Sequence, residues 1–111
     1  IKLAQVIQQY SDINTCLLVD CLTLWLTNIL FSRQGEVQQV VFEQETEALF
    51  EALAGFSGRL ILVSNEVGLG IVPMDKMTRR FVDEAGFLHQ KIATLSDKVV
   101  MVTAGLPQVL K

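Results

Sequence analysis

Histidine is almost missing from this sequence, with His89 its single example, and that excludes a metal site built on several imidazoles. Cysteine is scarce too. Cys16 and Cys21 lie an odd number of residues apart around an expected strand end, so they should point different ways. Two cysteines and no visible signal segment lead us to expect a reduced, cytoplasmic protein rather than a disulfide-stapled secreted one. Positive charge is not in excess: nine Lys and Arg against twelve Asp and Glu give a net charge of −3 and a pI near 5.0. A binder of the nucleic-acid backbone usually carries a basic patch, so no nucleic-acid partner is expected. No apolar run approaches the roughly 18 residues that span a bilayer, so no membrane span is expected either. No initiator Met opens the chain. It begins at Ile1 inside a helical pattern (Leu3, Ile7, Tyr10), and we expect that residues preceding it are missing.

What the sequence does have is apolar material for a core, at 50% hydrophobic content, enough for one domain. The organising stretch is Cys16-Leu-Leu-Val-Asp20-Cys-Leu-Thr23-Leu-Trp25-Leu-Thr27-Asn28. Four apolar or near-apolar residues in succession predict a strand buried on both faces, as in a parallel sheet covered by helices. The run is cut by the carboxylate of Asp20, and a helix follows at once. In such sheets ligands sit beyond the carboxyl ends of the strands. Asp20 there can hold a metal ion, accept a proton from a substrate hydroxyl, or only cap the helix. Position alone leaves these readings open.

Leu22 to Phe31 reads as a helix apolar nearly all round, buried on several sides or at a subunit contact. Ser32-Arg33-Gln34-Gly35 ends it. From Val37 to Ala54 the pattern is amphipathic: Val41, Ala48, Leu49, Ala52 and Leu53 face the core, and Glu43, Glu47 and Glu51 form a solvated face. Arg59 to Ser64 is the second strand expected to be buried. It delivers Asn65-Glu66-Val67-Gly68-Leu69-Gly70-Ile71-Val72-Pro73 at its end. Gly68 and Gly70 permit unusual backbone angles or close approach, yet no Lys-Ser/Thr follows them and the third Gly of a dinucleotide fingerprint is lacking. The stretch is therefore either a connection or a site. Asp75 is an expected N-cap for a helix over Lys76 to Leu95, with Met77, Phe81, Ala85, Leu88, Ile92 and Leu95 as its core stripe. Arg79 and Arg80 near its start either meet phosphate or are simply solvated. His89 reads as a packed or edge histidine. Lys98 to Thr103 is the third strand, followed by Ala104-Gly105-Leu106-Pro107. Strands alternating with helices predict an α/β fold with a parallel sheet and helices on both faces. Three strands make a thin sheet for so apolar a chain, which again points to missing strands.

Three blocks carry a resemblance: Val19 to Asn28, Val63 to Pro73, and Ala104 to Pro107, with Arg80-Phe81 and Ala85-Gly86 at fitting positions. They resemble the bifunctional adenosylcobinamide kinase/adenosylcobinamide-phosphate guanylyltransferase family, and the Asn65 to Pro73 block is the most specific of them. The resemblance implies a P-loop NTPase, recombinase-like core and a homo-oligomer. It implies phosphorylation of the aminopropanol hydroxyl of adenosylcobinamide with GTP or ATP and Mg²⁺. GMP is then moved from GTP onto adenosylcobinamide phosphate through a guanylylated histidine, giving adenosylcobinamide-GDP in cobalamin assembly. Asp20 matches the family's acidic residue that contacts the guanine nucleotide. Asn65, Glu66, Gly68 and Gly70 match its loop at the next strand end.

One departure is large. The sequence has neither a Walker A loop nor the segment bearing the nucleophilic histidine, and His89 does not occupy the nucleophile's place. Residues 1–111 are therefore expected to be the carboxyl-terminal portion of a single P-loop α/β nucleotide-transfer domain, with no catalytic nucleophile and no metal site of its own. The alternative is a non-catalytic α/β remnant that binds a nucleotide or serves in assembly.

Overall fold

The structure, a computed structural model, describes residues 2–111. The expected helical start at Ile1 lies outside the described residues. The elements are α1 (Leu3–Gln9), β1 (Cys16–Asp20), α2 (Leu22–Leu30), α3 (Gln39–Ala54), β2 (Arg59–Val63), α4 (Lys76–Leu95), β3 (Val100–Thr103) and β4 (Leu106–Val109). The result is a mixed α/β domain with a parallel strand pair and four helices.

β1 and β2 run parallel, Leu17 opposite Leu60 and Asp20 opposite Val63. Because side chains alternate across a strand, Leu17, Val19, Leu60 and Leu62 turn together onto the helical core. That core joins Leu3, Ala4 and Ile7 of α1, Leu22, Trp25, Leu26 and Ile29 of α2, Leu49 and Ala52 of α3, and Ala85, Leu88 and Ile92 of α4. The opposite face of the pair carries Leu18, Ile61 and Val63, at 62%, 45% and 40% exposure. This corrects the expectation of helices on both faces and of strands buried on both sides. Among the described residues, helical packing reaches only the face that Leu17 and Leu60 share.

The helices start and stop for local reasons. Asp75 caps α4 as expected, its carboxylate accepting hydrogen bonds from the Thr78 amide at 3.0 Å and the Thr78 hydroxyl at 2.8 Å. Of the expected α4 stripe, Ala85, Leu88 and Ile92 are buried, while Met77 and Leu95 at its ends are partly exposed. The last carbonyls of α2 are met by a side chain: Gln38 Nε2 donates to Asn28 O and Ile29 O at 2.9 and 3.0 Å, groups a helix end leaves without partners. α2 shows solvent a strip of Leu24, Thr27 and Asn28. In α3 the expected core residue Val41 is exposed, and Leu49 and Ala52 are buried. Gly58 holds φ +103, and a Cβ there would lie 2.2 Å from the carbonyl oxygen of Asp12. The segment before β1 and the turn into β2 can pass each other only because that side chain is missing.

The carboxyl terminus also departs from expectation. β3 does not extend the parallel sheet. It pairs antiparallel with β4 as a separate hairpin, Val100 opposite Val109 and Thr103 opposite Leu106. Ala104 (φ 53) and Gly105 (φ 74) turn it, the two positive φ values of a tight hairpin whose twist matches its strands.

Candidate functional site

The carboxyl ends of the two parallel strands place two chain stretches side by side. β1 delivers Asp20 and Cys21, then opens α2 with Leu22 and Thr23; β2 delivers Ser64, Asn65 and Glu66. The two are tied by one hydrogen bond, Asn65 Nδ2 donating to Thr23 Oγ1 at 3.1 Å. Thr23 is buried, and its hydroxyl also lies 3.3 Å from Cys21 Sγ. Asn65 thus joins the two strand ends through one side-chain N–H.

Asp20 is exposed, and its carboxylate forms no hydrogen bond or ion pair among the described residues. It does not cap α2: the N-cap position is Cys21. The Asp20–Cys21 peptide bond is cis. The Cys21 thiol is held below the ordinary thiol range, first by the Thr23 hydroxyl and next by the Leu24 amide at the start of α2. Both favour the thiolate.

Glu66 folds back on its own loop, Oε1 accepting from the Gly68 amide at 2.6 Å. A Cβ on Gly68 would lie 2.9 Å from that same oxygen, whereas a Cβ on Gly70 would meet nothing within 4 Å. Neither glycine is among those with positive φ. Unusual backbone angles are therefore not used at either glycine, and of the two only Gly68 has a protein atom, Glu66 Oε1, within reach of a Cβ.

α4 brings His89 to the same place. Its Nε2 and Ser64 Oγ are 2.6 Å apart, and its Nδ1 is 3.9 Å from Glu66 Oε2. Sequence reading missed Ser64, Thr23 and His89 as members of one cluster. Ser64 and His89 are 25 residues apart, and no periodicity links the end of a strand to the middle of the next helix. The available signal was Ser64 itself, a hydroxyl closing an apolar strand beside Asn65.

The two arginines at the start of α4 are occupied. Arg79 Nη1 donates to the Pro73 and Met74 carbonyls. Arg80 donates from Nη2 to Gln39 Oε1 and lies over the Phe42 ring, 5.6 Å from its centroid. Its Nε is 3.3 Å from Glu84 Oε1, an ion pair without hydrogen-bond geometry. They fasten the loop and α3 to α4, Arg79 through its Nη1 alone. A pocket of about 80 Å³ lies under the loop between Val67, Val72, Arg79 and Asp83, well short of the roughly 300 Å³ at which small-molecule pockets begin. A groove of about 300 Å³ beside Gln8, Ser11, Glu51 and Gly55 lies at the amino ends of the strands, away from the cluster.

Among the described residues no three His, Cys, Asp or Glu side chains gather as a metal site, and no helix is long and apolar enough to cross a membrane.

Comparison with known proteins fits this geometry to a family. The model of the cobinamide kinase / cobinamide phosphate guanyltransferase family matches residues 1–110. The bifunctional adenosylcobalamin biosynthesis protein CobP of Pseudomonas aeruginosa is 50% identical over 111 residues, covering 100% of this chain and 62% of that protein. CobU of Salmonella typhimurium, a bifunctional adenosylcobalamin biosynthesis protein, is 33% identical over 99 residues, covering 81% of this chain and 55% of its own length. The protein of the same name from Escherichia coli is 32% identical over 108 residues, 87% of this chain and 60% of its own. The chain thus spans 55–62% of the length of these relatives. With its strand-end motifs inside the matched span, it belongs to the cobinamide kinase / cobinamide phosphate guanyltransferase family.

Proposed function

We propose that this chain supplies one side of a nucleotide site in an enzyme of cobalamin assembly. The whole protein phosphorylates adenosylcobinamide and then transfers GMP from GTP to adenosylcobinamide phosphate, yielding adenosylcobinamide-GDP. The observation that carries the reading is the junction of β1 and β2 at their carboxyl ends, where Asn65 is bonded to Thr23 and the Asp20 carboxylate is left free beside them. Parallel α/β sheets bind ligands at this edge.

In this reading Asp20 accepts hydrogen bonds from the donor edge of the guanine base, a charge-assisted contact. Asn65 joins the two strand ends. Glu66, Gly68 and Gly70 form the loop at the margin of the site, with Glu66 setting the loop's shape through the Gly68 amide. The described residues form no cage for Mg²⁺, so the ion is read as arriving with GTP or ATP, as Mg²⁺ commonly does with phosphates and few protein ligands. His89 is not read as the guanylylated nucleophile, because its two ring nitrogens face Ser64 and Glu66. Phosphoryl transfer rests mainly on positioning and charge stabilisation. Within 111 residues there is no Gly-x-x-x-x-Gly-Lys-Ser/Thr run to cradle phosphates, so a P-loop core and the nucleophile are assigned to the remaining length seen in the relatives. A homo-oligomer agrees with the apolar face of Leu18 and Ile61, and a cytoplasmic location belongs to the same reading.

The test is to supply the intact gene product with GTP, Mg²⁺ and adenosylcobinamide and to separate the corrinoid products. Adenosylcobinamide phosphate and its GDP derivative are expected. Unchanged adenosylcobinamide would refute the reading.

A further inference from the structure

We propose that His89 is a positioning residue for the strand-end site: it holds the Glu66 carboxylate, and through Glu66 the turn of residues 66–68, in place at the end of β2. This rests on the reading of that edge as a nucleotide site. The geometry forms a chain of three contacts. Ser64 Oγ sits 2.6 Å from His89 Nε2, His89 Nδ1 sits 3.9 Å from Glu66 Oε2, and Glu66 Oε1 accepts from the Gly68 amide at 2.6 Å.

One tautomer satisfies the whole chain. With the proton on Nδ1, Nε2 is the acceptor for the Ser64 hydroxyl and the Nδ1–H points its positive end at the carboxylate. The 3.9 Å gap is beyond hydrogen-bond range, so the hold on Glu66 is electrostatic. The anchor is firm on the other side. Ser64 directly follows β2, and His89 is one residue from Leu88, a buried member of the core on α4. The rigid sheet and the rigid helix thus meet on one imidazole, and the exposed loop hangs from it. Groups that orient a functional side chain commonly act in this way without touching the ligand. Gly68 belongs to the same device, because a Cβ there would press on the oxygen that Glu66 uses to bond the loop.

The experiment uses the intact protein with His89→Ala, His89→Asn, Glu66→Ala and the His89→Ala/Glu66→Ala pair. Backbone amide exchange is followed over residues 66–70 and over α4, together with KM and kcat for GTP. His89→Ala is expected to speed exchange in residues 66–70 while α4 keeps its protection. KM for GTP should rise about two- to five-fold, the scale of a partly exposed electrostatic contact, with kcat changed far less. His89→Asn keeps a polar group near the Nδ1 position and should restore most of both. In the Glu66→Ala background, His89→Ala should add nothing further. Unchanged exchange in 66–70, exchange raised equally along α4, or additive effects of the two substitutions would overturn the proposal. If the wild-type protein lacks corrinoid turnover, the function reading fails, and the exchange data still decide the role of His89.

Discussion

At the scale of single residues, Gly68 and Gly70 look alike in sequence and differ in space. A methyl group on Gly68 would push at the Glu66 carboxylate, the movable end of a flexible side chain, while one on Gly70 would enter open space. Neither position needs positive φ, so neither change strains the backbone. Gly68→Ala is therefore expected to raise KM for GTP several-fold with little change in melting temperature, and Gly70→Ala to do neither. Equal losses from the two, by steady-state kinetics and thermal melts, would contradict this. The contrast also marks how far the sequence could be read. The spacing of the Asn65 to Pro73 block pointed to a loop at a strand end. Which glycine matters depends on where Glu66 turns, and Glu66 turns back to Gly68 by a contact that sequence alone does not specify. Ser64 and His89 were hidden for the same reason, since tertiary packing alone brings them within 2.6 Å.

Among the elements, the helices were the more legible because their causes are local. The 3.6-residue stripe Ala85, Leu88, Ile92 and the cap Asp75 define α4 without reference to anything else. The cap also gives a pH dependence. Hydrogen bonds from the Thr78 hydroxyl and then the Thr78 amide hold the Asp75 carboxyl below its ordinary 3.8. A carboxyl lowered on folding adds stability above its unfolded value and loses it as pH falls through the folded one. Asp75→Ala should thus lower the melting temperature at neutral pH, and the gap to wild type should narrow in strong acid, below the ordinary carboxylate range. A gap independent of pH would show that Asp75 does not act through its charge. The hairpin was less legible. Pro107 lacks an amide to donate and reads as loop, yet it is tolerated in a two-stranded hairpin with free edges. Ala104 at φ 53 takes a conformation that its side chain does not advertise. The parallel pair was legible in its residues but not in its exposure: an unbroken apolar run records what a strand can be buried by, and here one face meets the helices while the other meets solvent.

For the molecule as a whole, the face of Leu18, Ile61 and Val63 is the feature most out of keeping with an isolated chain. Burying a side chain of this kind fully is worth about 1.5–3 kcal/mol, so the patch favours association. Residues 1–111 produced alone are expected to self-associate, and Leu18→Ser with Ile61→Ser should shift them toward monomer in sedimentation velocity. A monomeric wild-type chain would contradict the expectation. The account as a whole stands on Asp20, the exposed carboxylate at the carboxyl end of β1, unpaired among the described residues. The most direct measurement is GTP-dependent conversion of adenosylcobinamide phosphate by the intact protein, wild type against Asp20→Asn, which keeps the shape and removes the charge. The account predicts a rise in KM for GTP of about tenfold or more, the worth of a charge-assisted hydrogen bond, with an unchanged melting temperature. Identical kinetics in the two proteins would contradict it.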